Sequence, residues 1–234
     1  LPKKRLTRLM WIQFIKKMPL NLRPLLKIEK GYNPKGIALF ISGYSKLSRI
    51  EKFREESIEQ IKLLADKVIP LATPGFSGSC WGYNFDWESR AFFQKKYTPT
   101  IVATTYVANA LLDAYEVTKN EDYLDSAISA KNFILNDLNR SYDSNGDFAF
   151  SYSPFDKTSV FNASLLGARL LSRIYFYTKR DELTDHAKKV VSYCKIEVKV
   201  QQEEQQANKF KKSPVSSGIH KTRVFGITIT KLTL

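Results

Sequence analysis

The sequence predicts an all-α protein of repeated helical hairpins, with short strands in the connections between hairpins. Three observations predict it. Residues 101–127 and 161–187 echo one another at an offset of sixty. Apolar residues recur through both stretches at helical spacing. Long connections rich in glycine and aromatic residues separate the hairpins.

The echo runs without a gap. Ala103 meets Ala163, Ala108 meets Ala168, Leu111 meets Leu171 and Tyr115 meets Tyr175. Thr118-Lys119 meets Thr178-Lys179, and Ala127 meets Ala187. A fixed register of this kind marks stacked copies of one supersecondary unit.

Taken in order, residues 1–36 form a basic amphipathic segment, with ten Lys/Arg against one acid. Leu6, Leu9, Met10, Trp11 and Phe14 fall on one face of a short helix. Such a segment within residues 1–28 either lies on an anionic membrane or packs on the domain with its lysines in water. The hairpin domain is expected over residues 37–197. An early helix over 51–68 carries Phe53, Ile58, Ile61, Leu64, Ala65 and Val68, and fits as the second helix of a first hairpin. In the next hairpin Thr98 is placed to cap a helix with Pro99 in its first turn. Ile101, Thr105, Ala108, Leu112 and Tyr115 then form a stripe that stops near Thr118. Asn120 or Glu121 opens the partner helix, with Tyr123, Ala127, Ala130 and Ile134 inward. The last hairpin repeats this, its outer helix carrying Leu183, Ala187, Val190 and Cys194. Joints this short make the two helices of each hairpin antiparallel neighbours.

Between hairpins lie PLATPGFSGSCWGYNFDWESRAFFQKKYTPT and SYDSNGDFAFSYSPFDKTS. Asn145-Gly146 reads as a tight turn before Phe148, Phe150 and Tyr152 at strand spacing. Both connections end just before a hairpin's first helix, so they gather at one end of the stack, where binding is expected. The tail, residues 198–234, breaks the pattern: QQEEQQANKFKK is too polar for a core, and RVFGITITKLTL reads as a strand. The break is that of a truncated or frame-shifted tail, or of a real appendage.

The net charge of +14 resides in the two ends, since residues 37–197 hold twenty basic and twenty acidic side chains. A nucleic-acid protein lines its own groove with such charge, so no nucleic acid is expected as a partner. Two cysteines and two histidines make neither a disulfide framework nor metal-ligand spacing, and no metal or other cofactor is expected. No apolar run is long enough to span a bilayer. A reduced cytoplasmic setting follows, with peripheral membrane contact through the basic start as the variant.

The loop GSCWGYNFDW, the turn DSNGDFAFSY and the hairpin joint TKNEDYLDSA resemble the six-hairpin, alpha/alpha-toroid glycosidase-like superfamily over about residues 50–195. The resemblance implies a partial toroid, because six hairpins hold twelve helices and this chain offers about five or six. It also implies carbohydrate-active chemistry, as members include glycoside hydrolases, polysaccharide lyases and sugar epimerases, and it makes a saccharide or glycan precursor the expected partner. An incomplete ring leaves apolar helix faces bare, so self-association is expected.

Within the loop, Trp81, Tyr83, Phe85 and Trp87 alternate, which in a strand places four rings on one side. Trp81, Tyr83, Asn84 and Trp87 are candidates for saccharide binding, or for packing the end of the bundle. Asp86 and Glu88 share a side if the strand persists, and two carboxylates about 5–10 Å apart are what glycoside hydrolysis uses. Asp86 is thus a candidate acid or substrate ligand, with a loop cap or a pair with Arg90 as its structural alternative. Asp143, Asn145 and Asp147 offer oxygens at alternate positions, but the order suits a plain turn. Asn109 and Asp113 point to the loop end or to solvent. His186 and His220 support no triad. GYNPKGIALFISGYSK has turns around an apolar run and no phosphate-cradling motif. The alternative to an enzyme is a non-catalytic helical-repeat binding or accessory protein.

Overall fold

A computed structural model describes residues 4–22, 24–27, 30–88 and 93–195. The tail 198–234, with its expected strand and His220, lies outside the described residues. The elements are α1 (Arg5–Lys17), α2 (Pro34–Leu47), α3 (Arg54–Val68), α4 (Ile101–Thr118), α5 (Glu121–Asn132) and α6 (Phe161–Thr178). A further helix, α7, covers residues 181–195. Two small antiparallel ribbons complete the set: β1 (Trp87–Glu88) with β2 (Phe93–Gln94), and β3 (Arg140–Tyr142) with β4 (Phe148–Phe150).

The helices form three hairpins, α2/α3, α4/α5 and α6/α7. Helix α4 is central, packed against α2 on one flank and α6 on the other, so the first helices of the hairpins stand side by side. Helices α3 and α5 back them, and α7 returns against α6, where Tyr193 meets Phe161 edge to face. The expected stripes face inward: Ile61, Ala65 and Val68, then Ile101, Ala108 and Leu112, then Tyr123, Ala127, Ala130 and Ile134, then Leu183, Ala187, Val190 and Cys194 are all buried. Small residues set the spacing. A side chain at Gly167 of α6 would stand 2.8 Å from Ile101 Cδ1 of α4.

The sixty-residue echo is structural. Lys119 and Lys179 end α4 and α6 in the left-handed conformation, at φ 58° and 54°, and each donates its amide to the carbonyl of Tyr115 or Tyr175 at 2.8 Å. Thr118 and Thr178 each return a hydroxyl to the carbonyl four residues back. Each lysine lies over a tyrosine of its own last turn.

Two features differ from the sequence reading. The stretch GYNPKGIALFISGYSK is helix α2, not turns around an apolar run. Asn33 caps it by accepting from the Gly36 amide, and Pro34 takes the first position, where its missing N–H costs nothing. Helix α2 thus begins inside the segment expected to precede the domain. The cap of α4 is Thr100, whose Oγ1 accepts from Ala103 N at 3.0 Å, and not Thr98. Pro99 is instead bridged to Gly82, which holds the preceding loop against the helix start.

Both long connections dock on the N-terminal end of α4. Thr100 N donates to the Trp81 carbonyl at 3.1 Å and Ile101 N to the Tyr152 carbonyl at 3.0 Å. The first amides of a helix have no partner within it, and here the two loops supply them. The same end of the stack therefore carries both loops.

Candidate functional site at the loop end

The loop GSCWGYNFDW divides its rings. Trp81 is fully buried, and its indole N–H donates to the Val68 carbonyl at 2.9 Å. It has no face to offer a ligand. The expected four-ring strand is replaced by an irregular loop, paired at the single Gly82–Pro99 bridge and again where Trp87–Glu88 enter the β1/β2 ribbon. The other three rings cluster. Tyr83 stacks on Phe85 at 5.4 Å between centroids, and Trp87 stands edge-on to Tyr83 at 5.8 Å. From the second loop, Tyr152 reaches Trp87 at 5.5 Å and shares a hydrogen bond with the Tyr83 hydroxyl. Burial pushes the phenols of Tyr83 and Tyr152 above the ordinary range, so both remain neutral and hydrogen-bonding at physiological pH. The result is an aromatic wall in which Tyr83 and Trp87 are half-buried and Phe85 exposed.

The two carboxylates part company. Asp86 is exposed, and its Oδ1 accepts the Lys96 amide at 2.9 Å, which closes the loop. The Glu88 side chain is only 2% exposed and pairs with Arg8 of α1, with Arg5 at 3.7 Å. Arg8 also lies over the Phe93 ring, 4.4 Å from its centroid. One carboxylate is thus in solvent and the other under α1, so they do not share a face as the alternation predicts. Asn84 packs beside Gly31, where any side chain would stand 2.7 Å from its Nδ2.

Between the two loops lies a pocket of about 340 Å³, lined by Phe93, Gln94, Thr98, Ser153, Phe155 and Asp156 among others. Gln94 is 7% exposed, and neither its Nε2 nor its Oε1 has a hydrogen-bond partner. A buried amide with neither donor nor acceptor paired is uncommon in native structures, where a ligand or water ordinarily completes such bonding. Asp156 is fully used as a loop staple: its carboxylate accepts from the amides of Ser153 and Thr158 at 2.8 and 2.9 Å and from the Ser153 hydroxyl at 2.5 Å. Nothing in FFQKKY singles out Gln94, because its role depends on a loop sixty residues away.

Elsewhere, Asp143 Oδ1 accepts the amides of Asn145 and Asp147, which makes that segment a turn. His186 packs edge-on to Phe148, and burial, with Arg140 and Lys189 nearby, holds its pKa below the ordinary value. Both cysteines are free and buried, and burial pushes the Cys80 thiol up to about 12, far from a reactive thiolate. Asn109 and Asp113 point neither to the loops nor to bare solvent. Arg173 of α6 donates to Asn109 Oδ1 at 3.0 Å and pairs with Asp113 at 2.9 Å and Glu116 at 3.1 Å. The echo held a signal for this pairing, since Asp113 and Arg173 occupy equivalent positions of adjacent helices.

Side-by-side hairpins with decorated connections at one end are an alpha/alpha-toroid arrangement, and the chain shows three such hairpins among the described residues. Among solved structures it is similar to a D-mannose isomerase, with a TM-score of 0.50 and 18% identity over 69% of this chain and 42% of that one. It is also matched to a family 76 glycoside hydrolase (mannosidase) from Bacteroides thetaiotaomicron, with a TM-score of 0.47 and 18% identity over 68% and 42%. The chain thus spans less than half the length of the structures it matches, and the likeness is one of fold. No protein-family profile matches the sequence, and no curated protein does. No described helix is long and apolar enough to cross a membrane.

Proposed function

We propose that this chain is a carbohydrate-active protein of the hydrolase, lyase or epimerase kind, or a part of one, that binds a saccharide at its loop end. The observation that carries the reading is the open amide of Gln94. A side-chain amide offers both donors and an acceptor at once, which suits adjacent sugar hydroxyls. Thr98 adds a hydroxyl and Phe155 a ring face for the apolar side of a pyranose, and the aromatic wall of Tyr83 and Trp87 adjoins through the pairing of Trp87 with Gln94. Asp86 is the exposed carboxylate of this wall and the candidate acid or substrate ligand. Glu88, ion-paired under α1, serves to fasten that helix to the loop.

The test is calorimetric titration of the full chain with D-mannose and a mannobiose. Gln94→Leu removes the open donor and acceptor at similar volume, and is expected to weaken saccharide binding about tenfold, the worth of one to two hydrogen bonds. Its melting temperature should hold or rise, because an unpaired buried amide is lost. Saccharide binding unaffected by Gln94→Leu would overturn the pocket's role. Asp86→Asn then separates catalysis from binding: loss of turnover with retained affinity is expected of an enzyme.

A second reading, a membrane-peripheral binding or accessory protein, is favoured by the outer face of α1. Leu6, Met10 and Phe14 are 70%, 65% and 52% exposed, and Trp11 stacks on Phe14 beside them. The helix has no acidic residue, and Lys16 and Lys17 close it. An apolar stripe flanked by cations suits an anionic bilayer surface. Full-length protein is expected to sediment with vesicles containing phosphatidylserine, less so at high salt, and the double variant Met10→Glu, Phe14→Glu to stay in the supernatant. Co-sedimentation that survives this variant would exclude α1 as the contact.

A further inference from the structure

At the far end of α4 from the loops, about 20 Å along the helix at 1.5 Å per residue, lies a second cavity of about 380 Å³. It is bounded by the last turn of α2 and the residues that follow it, the first residue of α3, and the last turns of α4. Ser45, Lys46, Arg49, Arg54, Asp113 and Glu116 carry its polar chemistry. Its size is that of small-molecule sites.

Two independent features indicate a ligand. Ser45, a residue of the cavity wall, is 6% exposed, and its buried hydroxyl has no hydrogen-bond partner. Buried hydroxyls in helices ordinarily find one, so this one keeps a bond to give to a ligand that presses against the cavity wall. The second feature is the charge balance. Asp113 and Glu116 are both engaged from α6 by Arg173. Ser42 adds a hydroxyl to Asp113 at 2.7 Å and Tyr177 adds one to Glu116 at 2.8 Å. Across from them neither Lys46 nor Arg49 has a carboxylate partner among the described residues, and Arg54 has only a 3.7 Å surface contact with Glu51. The mouth is therefore cationic, while the inner wall presents Ser45 and two carboxylates that share one guanidinium and so keep one negative charge between them.

We infer that this cavity binds a small phosphate monoester of a polyol. Its phosphate would meet Lys46, Arg49 and Arg54, since charged hydrogen bonds from guanidinium and ammonium groups are the strong ones for phosphate. Its hydroxyls would meet Ser45 and donate to Asp113 and Glu116, carboxylates that accept only. Inorganic phosphate satisfies the cationic mouth alone. The site is separate from the saccharide pocket between the loops, and either can fail without the other.

Titration calorimetry of the full chain at constant ionic strength tests it, with inorganic phosphate, glucose-6-phosphate and glucose as probes. Saturable binding of glucose-6-phosphate is expected, about tenfold tighter than that of inorganic phosphate, with none for glucose at the same concentrations. Lys46→Ala with Arg49→Ala should weaken both phosphates about tenfold or more. Ser45→Ala should weaken glucose-6-phosphate alone, with the urea midpoint unchanged or raised. Gln94→Leu should leave both unchanged. No saturable binding of either phosphate, or binding indifferent to the loss of Lys46 and Arg49, would overturn the site. Equal affinity for the two phosphates would overturn the polyol assignment, and sensitivity to Gln94→Leu would overturn the location.

Discussion

Trp81→Ala is expected to lower the unfolding free energy by about 3–5 kcal/mol, the cost of emptying a large aromatic site that closes only in part. Trp81 is among the largest fully buried side chains, set between the end of α3 and the start of α4. The loss is compounded at Val68, whose carbonyl accepts the indole N–H at 2.9 Å and would be left in an apolar surround. Trp81→Phe keeps most of the ring and forfeits that bond, so a smaller loss of about 1–3 kcal/mol is expected. Against a total of about 5–15 kcal/mol for a domain, the alanine variant should be largely unfolded at modest urea. Trp87→Ala, at a half-buried ring, should unfold near the parent midpoint. Equal urea midpoints for Trp81→Ala and the parent would show that the ring is not the strut between α3 and α4 that its burial makes it.

Gly82→Ala should be nearly as damaging, for a different reason. A methyl group there would stand 2.3 Å from the Thr98 carbonyl oxygen and 2.5 Å from the Tyr97 carbonyl carbon. Both are backbone atoms, held by the bridge to Pro99 and by the bond from Tyr97 N to the Tyr83 carbonyl. No side-chain rotation relieves that overlap, so the loop must lift from the helix start. Overpacking costs about 1–3 kcal/mol, and the upper end is expected against fixed atoms; the lift would also displace Tyr83 from the aromatic wall. Gly43→Ala is the matched control. Gly43 sits within α2 with open space around its Cα, and alanine there should stabilise by about 0.5–1 kcal/mol through helix propensity. Thermal unfolding of the two variants should move in opposite directions. A Gly82→Ala protein as stable as its parent would mean that loop and helix start are not closely apposed.

Much of the frame is legible in the sequence. The stripes of α4, α5 and α7 and the inner face of α3 are where helical spacing puts them, because a residue's position on a helix is set by its neighbours three and four places away. The echo of Thr118-Lys119 and Thr178-Lys179 became two matching left-handed helix ends. Helix α2 differs from the turns that the sequence suggests, although its signal is present, Asn33 as cap and Pro34 at the first position. Gly31 to Pro34 and Ser42-Gly43 read as turns on either side of its apolar run. The α4 start was misplaced by two residues, because a threonine before a proline looks like a cap whether the proline opens a helix or pairs with a distant loop.

What the sequence by itself determined is the hairpin repeat, the end at which the long connections gather and the confinement of excess charge to the chain's ends. All of these follow from local spacing and composition. Only the tertiary structure decided which ring of WGYNFDW turns inward, that Glu88 lies under Arg8 while Asp86 stays in water, and that Gln94 and Ser45 are left with open hydrogen bonds. Those outcomes depend on which groups from other helices and loops arrive at each atom, and adjacent residues in a loop carry no record of partners that packing brings from far along the chain.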